Sequence, residues 1–480
     1  MGVAFVGGGI GSLTAALLLS KQGKQVTIYE RGSRLGGRLA FQEGGGYRID
    51  QGPTIVLLPE MLLSILEEAG IERSRIPLLE CDPLYRIHYA DGTVFHKWRN
   101  QQRQIEELER MFPEEVDGFQ RYMADMEVAF KQGKEAFLER PFLRKREFYT
   151  FRNLTLLTKL KAYKSVRSFA GRYFRSEKLL DAFSLQTLYI GGAPFQSPGL
   201  YTLLPFAEHA YGIWYVKGGY AGIVSILEEE LRSRGVQIKT ETQIEQLVLE
   251  NGRCIGVIDE GGREMLHDTI VYNGDFPHLA SLMPKNTVPM KAYKPSSGTI
   301  LIYLGLNKQW EQASVHQFFL PDNLQSGLKQ IFQNNQLPQD PSFYIFYPSA
   351  MDMEAAPPGE SVMYMLIPAP PHGSVAWEDE VPALVERVID EAEKRGFPGL
   401  RAAIQWKEVR TPQDAESDGL YHGGSFGIAP TFGQSAVFRP QIVPYPIKGL
   451  YAVGASVHPG GGIPIVMQGA RLLANYLLKE

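Results

Sequence analysis

Gly7-Gly8-Gly9-Ile10-Gly11-Ser12 follows directly on the apolar tetrad Val3-Ala4-Phe5-Val6. A short strand with no polar face is buried on both sides, and glycines let the chain turn sharply out of it. Behind the run, Leu13, Ala16, Leu17 and Ser20 fall on one side of a predicted helix that stops near Gly23. Gln25–Tyr29 reads as a second strand and closes on Glu30. Strand, glycine turn, helix, strand and acid in this order form the βαβ fingerprint of dinucleotide binding. Gly7 permits the tight turn. Gly9 lets the backbone approach a pyrophosphate at the helix N-terminus, where free N–H groups and the helix dipole favour an anion. After Gly11, Ser12 replaces the third glycine, whose role is close helix–strand packing; serine fits at some cost. Glu30 can accept hydrogen bonds from adenosine ribose hydroxyls.

Composition bounds the rest. The 480 residues are 44% hydrophobic and 21% charged, with a net charge of −4. That is a globular chain of two or three domains, without the basic field of a nucleic-acid binder. Cys81 and Cys254 are the two cysteines; they form no disulfide framework or zinc motif, and a reducing compartment fits. Neither a secretory leader nor a run long enough to span a membrane is expected.

Beyond Glu30 come Arg31 and then Gly36-Gly37-Arg38, followed by Gly52-Pro53-Thr54. The glycine pair with Arg38 extends the phosphate-binding surface, and the Gly52-Pro53-Thr54 turn brings backbone close to something flat. An amphipathic helix (Ile223, Ile226, Leu227, Leu231), strands at 236–239, 243–249 and 254–258, and Asn273-Gly274-Asp275 make a second segment. The last segment runs from the strand 449–453 through Gly454-Ala455-Ser456-Val457-His458-Pro459-Gly460-Gly461-Gly462-Ile463-Pro464 into a closing helix. Pro464 suits a first helical turn, and the helix N-terminus would favour an anionic partner.

These stretches resemble the FAD-dependent amine oxidase superfamily and, in the C-terminal signature, the bacterial carotenoid desaturases. Gly212–Gly219 and Arg439-Pro440 are similar to that family as well; Gln186–Gly191, and Phe137–Arg140 with Phe148-Tyr149, look most like its thirty-carbon, dehydrosqualene branch. The resemblance covers essentially the whole chain. It implies non-covalent FAD held by Gly7, Gly9, Gly11, Ser12, Glu30, Arg31, Gly37, Arg38, Gly52, Pro53, Thr54, Ile244 (on the strand that cradles the adenine), Asp275, Gly454, Gly462 and Ile463. It implies an α/β fold: a discontinuous Rossmann-like FAD-binding domain (1–80, 205–285 and 440–480) with an inserted α+β substrate- and membrane-binding domain (81–204 and 286–439). Tyr220 departs from the methionine common after Lys-Gly-Gly and is expected to reshape the substrate side.

The implied activity is desaturation of a linear carotenoid precursor, dehydrosqualene or phytoene, by hydride transfer to flavin. A carotenoid terminal (methyl) oxidase of the same family is one alternative, and an isoprenoid-binding escort protein on the same fold is another. A hydrocarbon substrate offers no charge or hydrogen bond to recognise, so an apolar tunnel is required, and no Ser/His/Asp triad or carboxylate pair is present. The strands Phe343–Tyr347 and Val362–Leu366 are tunnel candidates, with ordinary core as the competing reading. His458 is the candidate proton acceptor; its alternative is a structural hydrogen bond in the glycine loop. No second glycine fingerprint serves NAD(P), so oxygen or a quinone is the expected electron acceptor.

Residues 140–178 carry twelve Lys/Arg against two acids, interleaved with thirteen large apolar residues. This pattern matches an interfacial anchor on anionic lipid. It places the protein in the cytoplasm, at the inner face of the cell membrane; a solvated basic helix face is the competing reading.

Overall fold

The computed structural model describes residues 2–159, 161–371 and 375–480. Leu160, one of the apolar residues of the basic stretch, lies outside them. The N-terminal unit is β1 (Gly2–Val6), α1 (Ile10–Lys21) and β2 (Gln25–Tyr29). Later segments add α2 (Gly222–Ser233), β3 (Gln237–Lys239), β4 (Thr269–Tyr272), β5 (Leu450–Ala452) and α3 (Ile463–Leu477). The five strands form one parallel sheet in the order β5-β4-β1-β2-β3. Val3 and Phe5 face the helices, and Ala4 and Val6 face a small antiparallel sheet built on Ile244–Glu250 and Arg253–Asp259. With layers on both faces, the central strand β1 carries no polar side chain.

The one-sided stripe expected for α1 is too narrow. Ile10 to Leu19 are all buried, because α2 and α3 both pack on the helix while the sheet covers its remaining side. Ser12 is buried with its hydroxyl unpartnered, which is the cost of a serine where glycine would pack closest; an unmade hydrogen bond of this kind costs about 1–3 kcal/mol.

A second, seven-stranded sheet is built from residues 85–97 and 298–410. Its longest pair, Gly298–Leu306 and Ser361–Ala369, runs antiparallel in unbroken register. Period-two alternation divides the side chains between two cores. Ile300, Ile302, Met363, Met365, Phe343 and Ile345 pack under the helix Trp377–Arg395. Tyr303, Tyr364, Tyr344 and Phe346 face the opposite way, into a helical core rich in phenylalanine. The strands read as tunnel candidates are therefore core on both faces, the methionines on one and a wall of buried aromatic rings on the other. The expected boundary at 205 falls inside the helix Leu203–Tyr211. Phe206 of that helix packs against Phe130 in the inserted domain, so the whole helix belongs there.

Candidate functional site

The glycine turn is packed tightly against Asn273 and Val453. Gly7 has φ +100°, and a Cβ there would stand 3.0 Å from the Asn273 carbonyl. A Cβ at Gly9 would stand 3.0 Å from Asn273 Oδ1, and one at Gly11 3.1 Å from Val453. Asn273, at the end of β4, is the bracket: the Ser12 N–H donates to its Oδ1 (2.8 Å), and its Nδ2 donates to the Val453 carbonyl (2.9 Å). One amide thus locks the β1–α1 turn to the end of β5. It was not singled out from the sequence; the available signal was an amide at a strand end directly before Gly274. Gly9 caps α1 without a side-chain partner, so the first helical N–H groups face outward from the turn.

Around this turn stand the other expected residues. Gly36 N–H donates to the Gly8 carbonyl (2.9 Å), and Gly37, at φ +59°, lies close over Gly9. A Cβ at Gly52 would meet the Arg38 carbonyl at 2.9 Å. The Glu30 carboxylate accepts from Gly8 N–H (2.7 Å) and Gly32 N–H (2.8 Å), so it stands at the edge of the turn. Arg31 instead directs its guanidinium to the Asp418 carbonyl. Ile244 is buried against Tyr29, beneath the sheet, and the chain just before it reaches the turn: Thr242 N–H donates to the Glu30 carbonyl (2.9 Å).

Asp275 gathers three segments. It accepts from Ser456 Oγ (2.7 Å) and Tyr421 N–H (2.9 Å), and Arg38 Nη2 stands 3.6 Å away. Burial lowers the Arg38 pKa and Asp275 opposes that shift. Gly454, at φ +133°, follows Val453, and Gly462 (φ +94°) caps α3 with Ile463 as its first residue. The His458 ring is buried against Phe142, centroids 5.1 Å apart. Its Nε2 lies 3.1 Å from the Arg140 carbonyl, which makes Nε2 the protonated nitrogen, and Nδ1 has no partner. Burial pulls its pKa down to about 4. The ring ties the glycine loop to the segment at 140–142.

Thr54 connects the turn to the aromatic wall. Its hydroxyl is 2.9 Å from Tyr344 Oη, which is itself 2.6 Å from His316 Nδ1. Tyr364 donates to the Gly52 carbonyl (3.1 Å) and Tyr303 to the Gln51 carbonyl (2.6 Å). Three tyrosines of the second sheet thus clamp residues 51–54. Tyr220 is not on this wall; it is buried in the core shared with α1 and α2, and its backbone N–H donates to Asp50 (3.0 Å). Burial raises the Asp50 pKa to about 7, against the amides of Ala221 and Tyr220.

In the basic stretch, Phe142, Phe148, Leu156, Phe169, Tyr173 and Phe174 are core. Phe151 (88% exposed), Tyr163 (66%), Tyr149, Leu154 and Leu143 project outward. Arg152, Arg167 and Lys178 are committed to acids; Arg144, Lys145 and Arg146 are exposed. No helix among the described residues is long and apolar enough to cross a membrane.

Residues 13–478 match the profile of the flavin containing amine oxidoreductases. The chain belongs to that family. Among full-length relatives, this amine oxidoreductase is 50% identical over 480 residues to a 4,4'-diapolycopen-4-al dehydrogenase of Metabacillus indicus, covering 100% of this chain and 97% of the relative. It is 32% identical to a 4,4'-diapophytoene desaturase (4,4'-diapolycopene-forming) of Methylomonas sp, covering 100% and 95%. It is also 32% identical to a zeta-carotene-forming phytoene desaturase of Myxococcus xanthus, covering 99% and 93%. These relatives place it in the carotenoid desaturase branch of the family. In fold it is similar to an oxidoreductase from Methanosarcina mazei (TM-score 0.67, 16% identity, 100% of both chains). The cyclohexylamine oxidase of Brevibacterium oxydans is similar too (TM-score 0.63, 16% identity, 99% of both chains).

Proposed function

We propose that this amine oxidoreductase is an FAD-dependent desaturase that introduces double bonds into a linear carotenoid precursor, dehydrosqualene or phytoene. The observation that carries the reading is the junction of two unlike surfaces: a glycine-lined turn with no room for side chains, clamped at residues 51–54 by the hydroxyls of an aromatic wall. Such a wall suits a substrate with only carbon and hydrogen to offer, and the turn suits a dinucleotide pyrophosphate.

The turn at 7–12, with Gly37 close over it, would hold the pyrophosphate without a covalent link. Glu30 would take the adenosine ribose, the segment before Ile244 the adenine side, and Gly454, Gly462 and Ile463 the ring end. When bound, the flavin supplies the hydride acceptor. Arg38 is held beside Asp275 as the cation of the site, and the first N–H groups of α3 favour negative charge near Gly462. The aromatic wall orients the polyene and excludes water. His458, deprotonated at neutral pH and bonded to the Arg140 carbonyl, holds the glycine loop. Oxygen or a quinone would reoxidise the flavin. The exposed aromatics and unpaired cations of 143–163 would rest on anionic lipid at the inner face of the cell membrane, where such a substrate dissolves.

A second reading, oxidation of a terminal carbon, is favoured by the 50% identity to a relative named as an aldehyde dehydrogenase. Co-expression with a supply of dehydrosqualene or phytoene separates the two. Pigments two hydrogens lighter per step, without added oxygen, are expected for desaturation; unchanged precursor alongside a polyene aldehyde converted to acid would favour the second.

A further inference from the structure

Two arginines and one buried carboxylate stand against the loop that leads into α3. Asp275 has Arg38 Nη2 at 3.6 Å. The other cation, Arg439, is 5% exposed and makes no ion pair among the described residues. Its guanidinium donates instead to three backbone carbonyls, those of Gln434 (3.2 Å), Ile428 (3.4 Å) and Ala455 (2.6 Å). Its Nε–H has no partner. A Cβ at Gly460 would have that nitrogen as its nearest neighbour, at 3.9 Å, so the unmade donor faces the glycine loop.

Carbonyls satisfy the N–H groups of a guanidinium without answering its charge. Arginine stays protonated, and a buried charge that lacks a counter-charge is costly. Burial works against the charge of Arg439; Tyr201 and Asp275 favour it, and Arg38 opposes it. His458 adds no charge, since burial holds its pKa at about 4. One carboxylate thus serves two guanidinium groups, and one positive charge is in excess. The loop itself is open to a ligand: Gly454, Ala455 and Gly461 are half-buried and Gly462 is exposed. The fifteen residues of α3 begin there without a side-chain cap, so their first N–H groups add partial positive charge. An anionic group at this loop would meet both.

We propose that Arg439 provides the counter-charge for reduced flavin and thereby sets how readily the bound cofactor takes hydride. Hydride carries two electrons and one proton to a ring that is neutral when oxidised, so the ring is left with one negative charge. That charge is what the excess cation receives. Arg439 acts through its field and through the Ala455 carbonyl; it is a positioning residue with no part in bond breaking. The inference rests on the reading that Gly454, Gly462 and Ile463 hold the ring end of FAD.

The test needs no carotenoid. The FAD-loaded protein is reduced anaerobically against an indicator dye, which reads the flavin potential, and the reduced spectrum is recorded at slightly acid and slightly alkaline pH. Wild type is expected to bind reduced FAD more tightly than oxidised FAD and to show the anionic reduced spectrum at both. Arg439→Gln keeps polar donors and loses the charge. It should weaken reduced relative to oxidised binding about tenfold, the effect of a unit charge over about 10 Å in protein. For a two-electron couple that is a fall of about 30 mV. Its reduced flavin should also take up a proton at the acid pH. Arg439→Lys keeps the charge and should restore both readouts. A merely structural arginine would lower FAD content in both variants and leave the potential of the retained flavin unchanged. That result, or a lysine variant no better than the glutamine one, overturns the inference. Where both variants lose the flavin, wild type decides: reduced FAD held no more tightly than oxidised FAD overturns the inference, and tighter holding with the anionic spectrum supports it. A wild type that binds no FAD in either state would remove the FAD reading itself, and this inference with it.

Discussion

Asn273→Ala removes the single side chain that joins the β1–α1 turn to β5. Two hydrogen bonds are lost, from Ser12 N–H at 2.8 Å and to the Val453 carbonyl at 2.9 Å. Ser12 and Val453 are themselves buried, so neither group recovers a full share of water. At about 1–2 kcal/mol for each stranded group, the loss is roughly 2–4 kcal/mol, and it falls on the turn that would carry the pyrophosphate. The expected result is a protein purified with little flavin, whose remaining flavin is released at lower urea than in wild type. Asn273→Asp sharpens the reasoning. It keeps the acceptor for Ser12 but sets an oxygen against the Val453 carbonyl and a negative charge beside Gly9, so it should retain less flavin than the alanine variant, with partial recovery in salt. Gly9→Val is the steric companion: its Cβ would stand 3.0 Å from Asn273 Oδ1, in the space a pyrophosphate needs, and flavin retention should be abolished. The measurement is the ratio of flavin to protein absorbance, followed through a urea series. An Asn273→Ala protein with full flavin and the wild-type urea midpoint would refute the bracket role.

Changing Arg144, Lys145 and Arg146 to glutamate should weaken binding to anionic liposomes while leaving the flavin spectrum intact, each cation contributing about 1 kcal/mol at the surface; equal binding to neutral and anionic vesicles would sink the membrane assignment. For His458→Asn, flavin content and stability should fall together, with anaerobic flavin reduction per bound FAD kept within about tenfold of wild type; a normalised loss beyond about a hundredfold would mark a general base instead. Asp50 titrates with a raised pKa of about 7 against an ordinary 3.8, so the folded state holds the proton more tightly and stability falls as pH rises across that window. Relative to Asp50→Asn, wild type should therefore lose roughly 2–3 kcal/mol between pH 5 and pH 8, read as urea midpoints at the two values; a pH-independent difference would contradict the raised pKa.

The first βαβ unit was legible because its signals are local. The glycines at 7–11, the β-strand at 25–29 and the acid at 30 lie within one βαβ unit, and their spacing alone dictates the turn. What was not legible depends on partners remote in sequence. Asn273 meets Ser12 across 261 residues and Val453 across 180. The far side of α1 is buried by helices more than 200 residues away, so Thr14 and Leu18, outside the expected stripe of Leu13, Ala16, Leu17 and Ser20, are core as well. Tyr220 follows a glycine pair and looked like a neighbour of the substrate, yet the turn after Gly219 delivers it to the core shared with α1 and α2. In the strands 343–346 and 361–369 every residue but Ser361 is apolar or aromatic on both faces, and periodicity cannot choose between core and cavity when neither face is polar.

The three tyrosine clamps have a mechanical consequence. Tyr303, Tyr344 and Tyr364 present their rings to the helical core and their hydroxyls to residues 51–54. On the proposed reading the ring is what an apolar substrate would press against, while the hydroxyl holds the turn at 51–54. A phenol is rigid between these two ends, with only two rotatable bonds behind it, so a substrate that displaces a ring also displaces its hydroxyl. Tyr344 is the most constrained of the three, since its oxygen is shared between Thr54 and His316, and moving it would strand two buried polar partners at once. On the proposed reading, a substrate that meets these rings is selected by whether it leaves them, and with them residues 51–54, in place.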